Sequence, residues 1–592
     1  MLRRAGIVFA AAFFLCALIT TGLWESSGWD LSAASYSLKR AKDGFAGIDL
    51  DSVRSNLDAR LPAQAPVWFD PQLEQSEFVI RNRDFFVQRL TEALYPRLVE
   101  PGAGNSIKPS DLRIATSQMP PSLASTGSFW GGLDAFFALA LLGTLAYWTT
   151  RRWLALRRDE FDLSMIAPVF VLLGALVVAL KTSVQTWLQI PWRGIFPGFG
   201  FLLLLLVIPS VRRRLDWPRF AADIKVSPER LVLAIYLVTV AMRAWLNPIV
   251  MWDSRSIWFF AAHRLYQHGM LAISDLTNAA TSWSHPDYPL LYSSLASFFS
   301  SSTAAFSERM AALCIPALSL ATLSLLWGLS RRALGRWYGC LFTLGVALFT
   351  DRLAIGGYVD GFVIQLLLIE VLASCIDGTR AIAWLAAGCA SLLKDEGLVL
   401  ASAIALIVEF RRTGERPWRR AMGFLVFGPA IIHHVWVARL GANSLAQNAS
   451  LGDVVVAFFP RFGQAMVEMP KLLVTVTYTQ VQPVLWSGVF ASVLAIGLLL
   501  KMRSRTPWPA LLALLAGLMT TVFSLSVISA IPRDILWLTW NALDRLLVHA
   551  SLLFALSALL AARGFEIDFS QGGEELVPAP PGKRSSRPRR SW

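Results

Sequence analysis

The sequence predicts an all-α protein that crosses a membrane many times, and three observations carry that prediction. Of the 592 residues 55% are hydrophobic and 16% charged, with a mean hydropathy of +0.51; a soluble chain of this size keeps more charge for its surface. Apolar runs of membrane-crossing length recur along the chain, without the residue-by-residue alternation of an outer-membrane barrel. The connections between the runs are basic at every second crossing, the pattern that orients helices in a bilayer.

The elements follow in order. Residues 1–24, "MLRRAGIVFAAAFFLCALITTGLW", join a basic flank to a long apolar stretch and read as a signal anchor with its N-terminus in the cytoplasm. Residues 25–128 are polar and mixed, an extracytoplasmic segment in which "RNRDFFVQRLTEALYPRLVE" suits an amphipathic helix. Accessory spans near 129–150, 163–181 and 196–211 fill residues 129–228, joined by "RRWLALRR" and followed by "VRRRLDWPR". A core of residues 229–563 begins with a span near 229–249 and a large outer loop, 250–307, that holds amphipathic helices. Further spans fall near 308–329, 338–350, 357–375, 380–394, 397–410, 421–439, 484–500, 507–528 and 546–563. Counting the anchor, that is about fourteen, several short enough for a ~30 Å core to imply tilt or half-embedding. "SRRALGRW", "DGTR", "EFRRTGERPWRR" and "KMRSR" are the basic connections that parity assigns to the cytoplasm. Residues 564–592, rich in Pro, Gly and charge, read as a disordered cytoplasmic tail.

The net charge of +14 does not indicate nucleic acid, because the basic residues sit in short clusters beside apolar runs, with no basic groove or aromatic RNA motif. Cys16, Cys314, Cys340, Cys375 and Cys389 all fall inside apolar runs with no CxxC pair, so they read as small buried hydrophobes. No internal repeat is visible, which weakens an inverted-repeat transporter, the alternative function class.

Parity brings the unusual polar residues to one face. Asp253 and Arg255 open the outer loop, and "SWSHPDYPLLYSSL" with His285, Asp287 and Tyr288 closes it. "FTDRLAIGGYVDGF" carries Arg352 and Asp360, "LLKDEGLVL" carries Lys394 and Glu396, and "WNALDRLLVHASL" carries Arg545. Each has an ordinary reading as well. Asp253 suits the cap of an interfacial helix whose apolar arc is Ile257, Trp258, Ala261 and Leu265, with His263 and Gln267 facing away. The prolines of "HPDYP" bracket a bend, although His285 and Asp287 are also spaced to share a divalent cation. Charges between two spans, as in "KDEG", need partners or water and so point to a site. Arg545 and His549 lie one helical turn apart, and His433 and His434 read as core histidines of the 421–439 span.

The order of these elements resembles the C-type (GT-C) integral-membrane glycosyltransferases, the superfamily of the protein O-mannosyltransferases and the lipid A aminoarabinose transferases. An Asp follows a span, then come a long amphipathic outer loop, "HPDYPLLY", a G-Y-x-D start of a later span, and a K-x-E-G turn. The likeness covers roughly residues 229–563. It implies a GT-C-like fold and a sugar donor linked to polyprenyl phosphate, with a lipid, glycan or protein as acceptor. It further implies Asp253 as catalytic base, Asp360 as a second outer carboxylate, and Lys394 and Arg545 at the donor phosphate, with Arg255 and Arg352 as further cations. Glu396, Asp287 and Tyr288 would line the site, and His285 with Asp287 would hold a metal ion where one is used. Where relatives often carry a second acid, this chain has Ser254. The implied location is the plasma (inner) membrane, with the site facing the periplasm and both termini in the cytoplasm.

Overall fold

The computed structural model describes residues 67–69, 99–101, 133–144, 163–191, 228–246, 249, 253–277, 284–285, 287–303, 306–355, 357–411, 417–441, 460–468, 470–471, 482–501, 508–530 and 544–572. The anchor 1–24, residues 81–98 of the amphipathic stretch, the span near 196–211 and the tail beyond 572 lie outside them; the last two residues of that stretch, Val99 and Glu100, are strand and not helix. Apart from one parallel pair of three-residue strands, Val67–Phe69 with Val99–Pro101, the described secondary structure is helical.

Among the described residues five helices are long and apolar enough to cross a membrane: Pro168–Leu188, Glu308–Leu334, Arg420–Arg439, Trp508–Ser529 and Leu546–Arg563. Leu133–Thr144 and Leu485–Lys501 are shorter and apolar. Exposure agrees with a lipid solvent. On Pro228–Leu246 the large residues Leu231, Val232, Ile235, Val238 and Met242 are exposed along one face, a stripe that water would penalise and lipid does not. Ile431, Ile432 and Val435, and on the next helix Trp486, Phe490 and Val493, are exposed in the same way. The described chain is a helical membrane protein.

Several helices outrun their sequence estimates. The runs at 338–350 and 397–410 belong to helices Arg336–Ile355 and Asp395–Arg411, because charged and polar residues extend the helix beyond its apolar middle. The last helix, Asp544–Gly572, passes residue 563. The 421–439 run is interrupted: Pro417–Gly423 leads into a 3-10 turn, Phe424–Phe427, before Gly428–Arg439. Leu163–Leu188 packs along Cys314–Leu334 and Leu291–Ser300, sharing one apolar core with the helices beyond 229. Asp544–Gly572 packs along both Gln482–Lys501 and Trp508–Ala530.

The loop 250–307 is a folded layer rather than a floppy connection. Its base is closed by Ile249 N donating to Glu308 Oε1 at 2.9 Å. Inside it, Arg264 Nη2 donates to Ser284 Oγ at 2.8 Å, and Tyr266 Oη to the Thr303 carbonyl at 2.8 Å. Helix Leu163–Leu188 holds its middle, since Thr186 Oγ1 accepts from Leu271 N and the Gln189 amide bonds Leu271 O and Ile273 N. Leu265, Leu271, Leu276 and Leu290 pack on Val437, so the layer rests on the end of Gly428–Arg439. Helix Phe260–His268 is buried on more than the expected arc, with Arg264 fully enclosed and lying 4.5 Å from the Phe260 ring centre. His263 stacks on Phe306 and bonds Gln267 at 3.1 Å. The helix is packed into the protein on most of its circumference.

Candidate active site

Asp253 heads an unusual element. Ser254–Phe259 forms a π-helical turn that runs into Phe260–His268, and such widened turns occur mostly at functional sites. Asp253 itself has helical backbone angles and makes no capping hydrogen bond to the following turn. The helix-cap reading therefore fails, and its carboxylate is turned to other company. Arg255 lies half-buried in the same turn.

The turn before Asp360 seats this segment. Gly357 has φ +81°, and a Cβ there would come 2.9 Å from Ser254 Cβ and 3.0 Å from its Oγ. Only glycine adopts that backbone cheaply and leaves room for Ser254. Ser254 itself is fully buried against this glycine.

The "KDEG" turn supplies the centre. Lys394 Nζ donates to Asp360 Oδ1 at 2.9 Å and lies 3.1 Å from Glu396 Oε1. These side chains are 11%, 3% and 11% exposed, so the triad is sunk in protein, where charges persist only when paired. Gly397 lets the helix Asp395–Arg411 approach its predecessor: a Cβ there would sit 2.0 Å from the Ala390 carbonyl oxygen. Leu291 N donates to the Leu392 carbonyl at 2.9 Å, which ties the end of "HPDYPLL" to the same turn.

His285 and Asp287 stand beside the triad. His285 has φ +47°, in the left-handed region that few side chains occupy. Its Nδ1 lies 3.9 Å from Asp287 Oδ1, too far for a hydrogen bond. Burial holds the imidazole below the ordinary histidine range. The carboxylates of Asp287, Asp253 and Asp395 pull it back up, and the Lys394 charge adds to the depression. Those influences also locate Asp253 near enough for its charge to act on the ring. Burial pushes the Tyr288 phenol well above its usual range. The Tyr288 ring stacks on Trp258 on one side and on His285 on the other.

Asp253, His285, Asp287, Tyr288, Asp360, Lys394 and Glu396, drawn from four separate segments, thus share one neighbourhood at one end of the bundle. Arg352 and Arg545 lie near helix ends, in Arg336–Ile355 and Asp544–Gly572; their side chains lie outside the described residues. Two residues of the cluster were not singled out by sequence reasoning. Asp395 was passed over inside "KDEG", and His434 was read as a core residue. His434 Nε2 lies 3.2 Å from Asp395 Oδ1. Parity holds the signal for it, since His434 stands near the outward end of its span. His433 behaves as expected, buried and packed by Trp436.

As for a metal, His285 and Asp287 offer one imidazole nitrogen and one carboxylate. Among the described residues no three His, Cys, Asp or Glu side chains are grouped to hold an ion. A hard divalent cation takes about six oxygen ligands, so this pair does not make a site by itself, and no step below runs through a metal. No family model matches the chain, and no curated protein or solved structure is significantly similar to it.

Proposed function

We propose that this chain is a membrane glycosyltransferase of GT-C-like, about fourteen-span architecture. It moves a sugar from a polyprenyl-phosphate donor to a lipid, glycan or protein acceptor on the outer face of the plasma (inner) membrane, with both termini cytoplasmic. One observation carries the reading: the segments whose order resembles that superfamily come together in space around Lys394, although they are spread along the chain from Asp253 to Glu396.

The chemistry asked of them is compact. The acceptor oxygen attacks the anomeric carbon as the bond from that carbon to the phosphate oxygen breaks. The polyprenyl phosphate leaves with the electron pair, and the acceptor proton passes to Asp253. A hydroxyl is a far weaker acid than a carboxylic acid, so the proton moves late, in concert with bond formation. Phosphate needs no strong general acid to depart; it needs positive charge. Lys394, with Arg255, Arg352 and Arg545, is assigned that role. Because Asp360 and Glu396 already face the Lys394 ammonium, they fix its position and moderate its charge. Attack opposite the phosphate inverts the anomeric centre.

The test is replacement of Asp253 by Asn in cells otherwise lacking the chain, with mass spectrometry of envelope lipids, glycans and proteins. The product restored by the wild-type chain should fall by about 10²–10⁴. Full product at equal expression would sink the assignment.

A transporter or flippase of a lipid-linked or small polar substrate is the second reading, and two features favour it. Glu370 is fully buried within Asp360–Cys375, about 15 Å from Asp360, and the span Arg420–Arg439 tightens to a 3-10 turn at Phe424–Phe427. Transport without a new covalent product in reconstituted vesicles would select it.

A further inference from the structure

Three aromatic rings near the cluster form a continuous column. Trp258 and Tyr288 stack with centroids 5.2 Å apart and planes at 19°, and Tyr288 and His285 stack at 4.7 Å and 16°. The column is rooted in the core: Trp258 is 2% exposed and meets Tyr292, itself fully buried, edge-on at 6.2 Å. Exposure rises along it, from buried Trp258 through half-buried Tyr288 to the His285 side chain at 25%. The chain holds His285 there at the cost of a left-handed backbone conformation, which costs on the order of 1–3 kcal/mol for a non-glycine residue. Strain of that kind persists where the surroundings impose it, commonly at ligand sites.

Resting on the transferase reading, we propose that His285 is a stacking platform for a sugar ring, the accessible end of the Trp258–Tyr288–His285 column, rather than a metal ligand. A pyranose or furanose presents a face of C–H bonds polarised by its oxygens, which complements the electron-rich face of an aromatic ring. The imidazole is uncharged near neutral pH because burial outweighs the neighbouring carboxylates, so its face keeps the electron density that stacking uses. Asp287, 3.9 Å from the ring nitrogen, is placed to accept from a hydroxyl of a sugar lying on it. The Asp253 charge acts on the same ring, as the assigned base must if it works on a sugar held there. Since the column is packed before any ligand arrives, little conformational freedom is lost when a sugar binds.

Two substitutions in the full-length chain separate the roles. His285→Phe keeps a flat ring and removes both nitrogens. His285→Asn keeps a polar side chain that tolerates the left-handed backbone and removes the ring. Both are expressed in cells lacking the chain, and the envelope product is quantified by mass spectrometry against membrane levels of each variant. The expected result is product within about threefold of wild type for His285→Phe, and a fall of about five- to tenfold for His285→Asn. Wild-type product from His285→Asn overturns the platform, as does an equal loss in both variants. Asp253→Asn run alongside keeps the two readings apart. If it is fully active the transferase reading falls; if it is inactive while His285→Asn is unaffected, only the platform falls.

Discussion

The two ends of the helical bundle both carry ion pairs, but of different kinds. At the end that sequence parity assigns to the cytoplasm, Arg336 pairs with Glu229, and Arg380 Nη2 meets Glu409 Oε2 at 2.7 Å. Each ties one helix end to another with a single arginine that reaches solvent. At the opposite end Asp253, Asp287, Asp360, Asp395 and Glu396 gather with Lys394, His285 and His434. There carboxylates outnumber cations, and the central triad is nearly enclosed. Stapling helices takes one pair per joint, a single buried carboxylate under an arginine that reaches solvent. Enclosing several like charges works against stability, so the second end is built for something other than holding helices together.

The sharpest way to break that comparison is to remove one cation from each end. Lys394→Met strands Asp360 and Glu396 as adjacent, nearly enclosed carboxylates and should cost about 3–5 kcal/mol, with loss of product. Arg380→Met strands one buried carboxylate, Glu409, instead of two and should cost less, about 1–3 kcal/mol, and leave product intact. Thermal unfolding in detergent reads the first quantity and mass spectrometry the second. Adding Asp360→Asn to Lys394→Met should recover stability, because one stranded carboxylate is gone, without recovering product. Equal costs at the two ends would remove the distinction.

A pair of glycines sharpens it further. Gly357, by the cluster, and Gly335, at the other end, both have positive φ, +81° and +89°. Alanine at either should cost on the order of 1–3 kcal/mol from backbone strain alone. Nothing lies within 4 Å of a Cβ at Gly335, whereas at Gly357 it meets Ser254. Gly357→Ala therefore also displaces the turn that carries Asp253. Product per folded molecule should fall at least about tenfold in Gly357→Ala and stay level in Gly335→Ala.

Much of this was legible in the chain, for reasons of solvent. Membrane helices announce themselves by apolar length, and basic loops fix which residues share a face. That is why Asp253, His285, Asp360 and Lys394 could be assigned to one end before any coordinates. Parity gives a side and not a distance, so the Lys394 triad and the aromatic column needed three dimensions. Asp395 and His434 were obscured because each sits in an otherwise explicable context, a charged turn and an apolar span. The π turn after Asp253 has no signature in composition. Nor did the sequence show that Arg264 is enclosed, since the serine that accepts from its guanidinium, Ser284, lies in another part of the loop.

The smallest effect concerns protons at His285. Burial and Lys394 favour its neutral form, while Asp287, Asp253 and Asp395 oppose them, and burial wins. The folded state then binds fewer protons than the unfolded one around the usual histidine value, so stability rises with pH there. This contribution is complete above the unfolded value near 6.5 and is lost as pH falls through it toward the depressed folded value. Melting temperatures from pH 8 down to about 5 should show the slope, and His285→Asn should flatten that component. Asp287→Asn should act in the opposite sense to a simple loss of charge. It removes the carboxylate that most strongly opposes burial, so the folded value drops further and the slope extends to lower pH. A slope unchanged by either substitution would mean that the ring titrates as it does in water, and that the column does not enclose it.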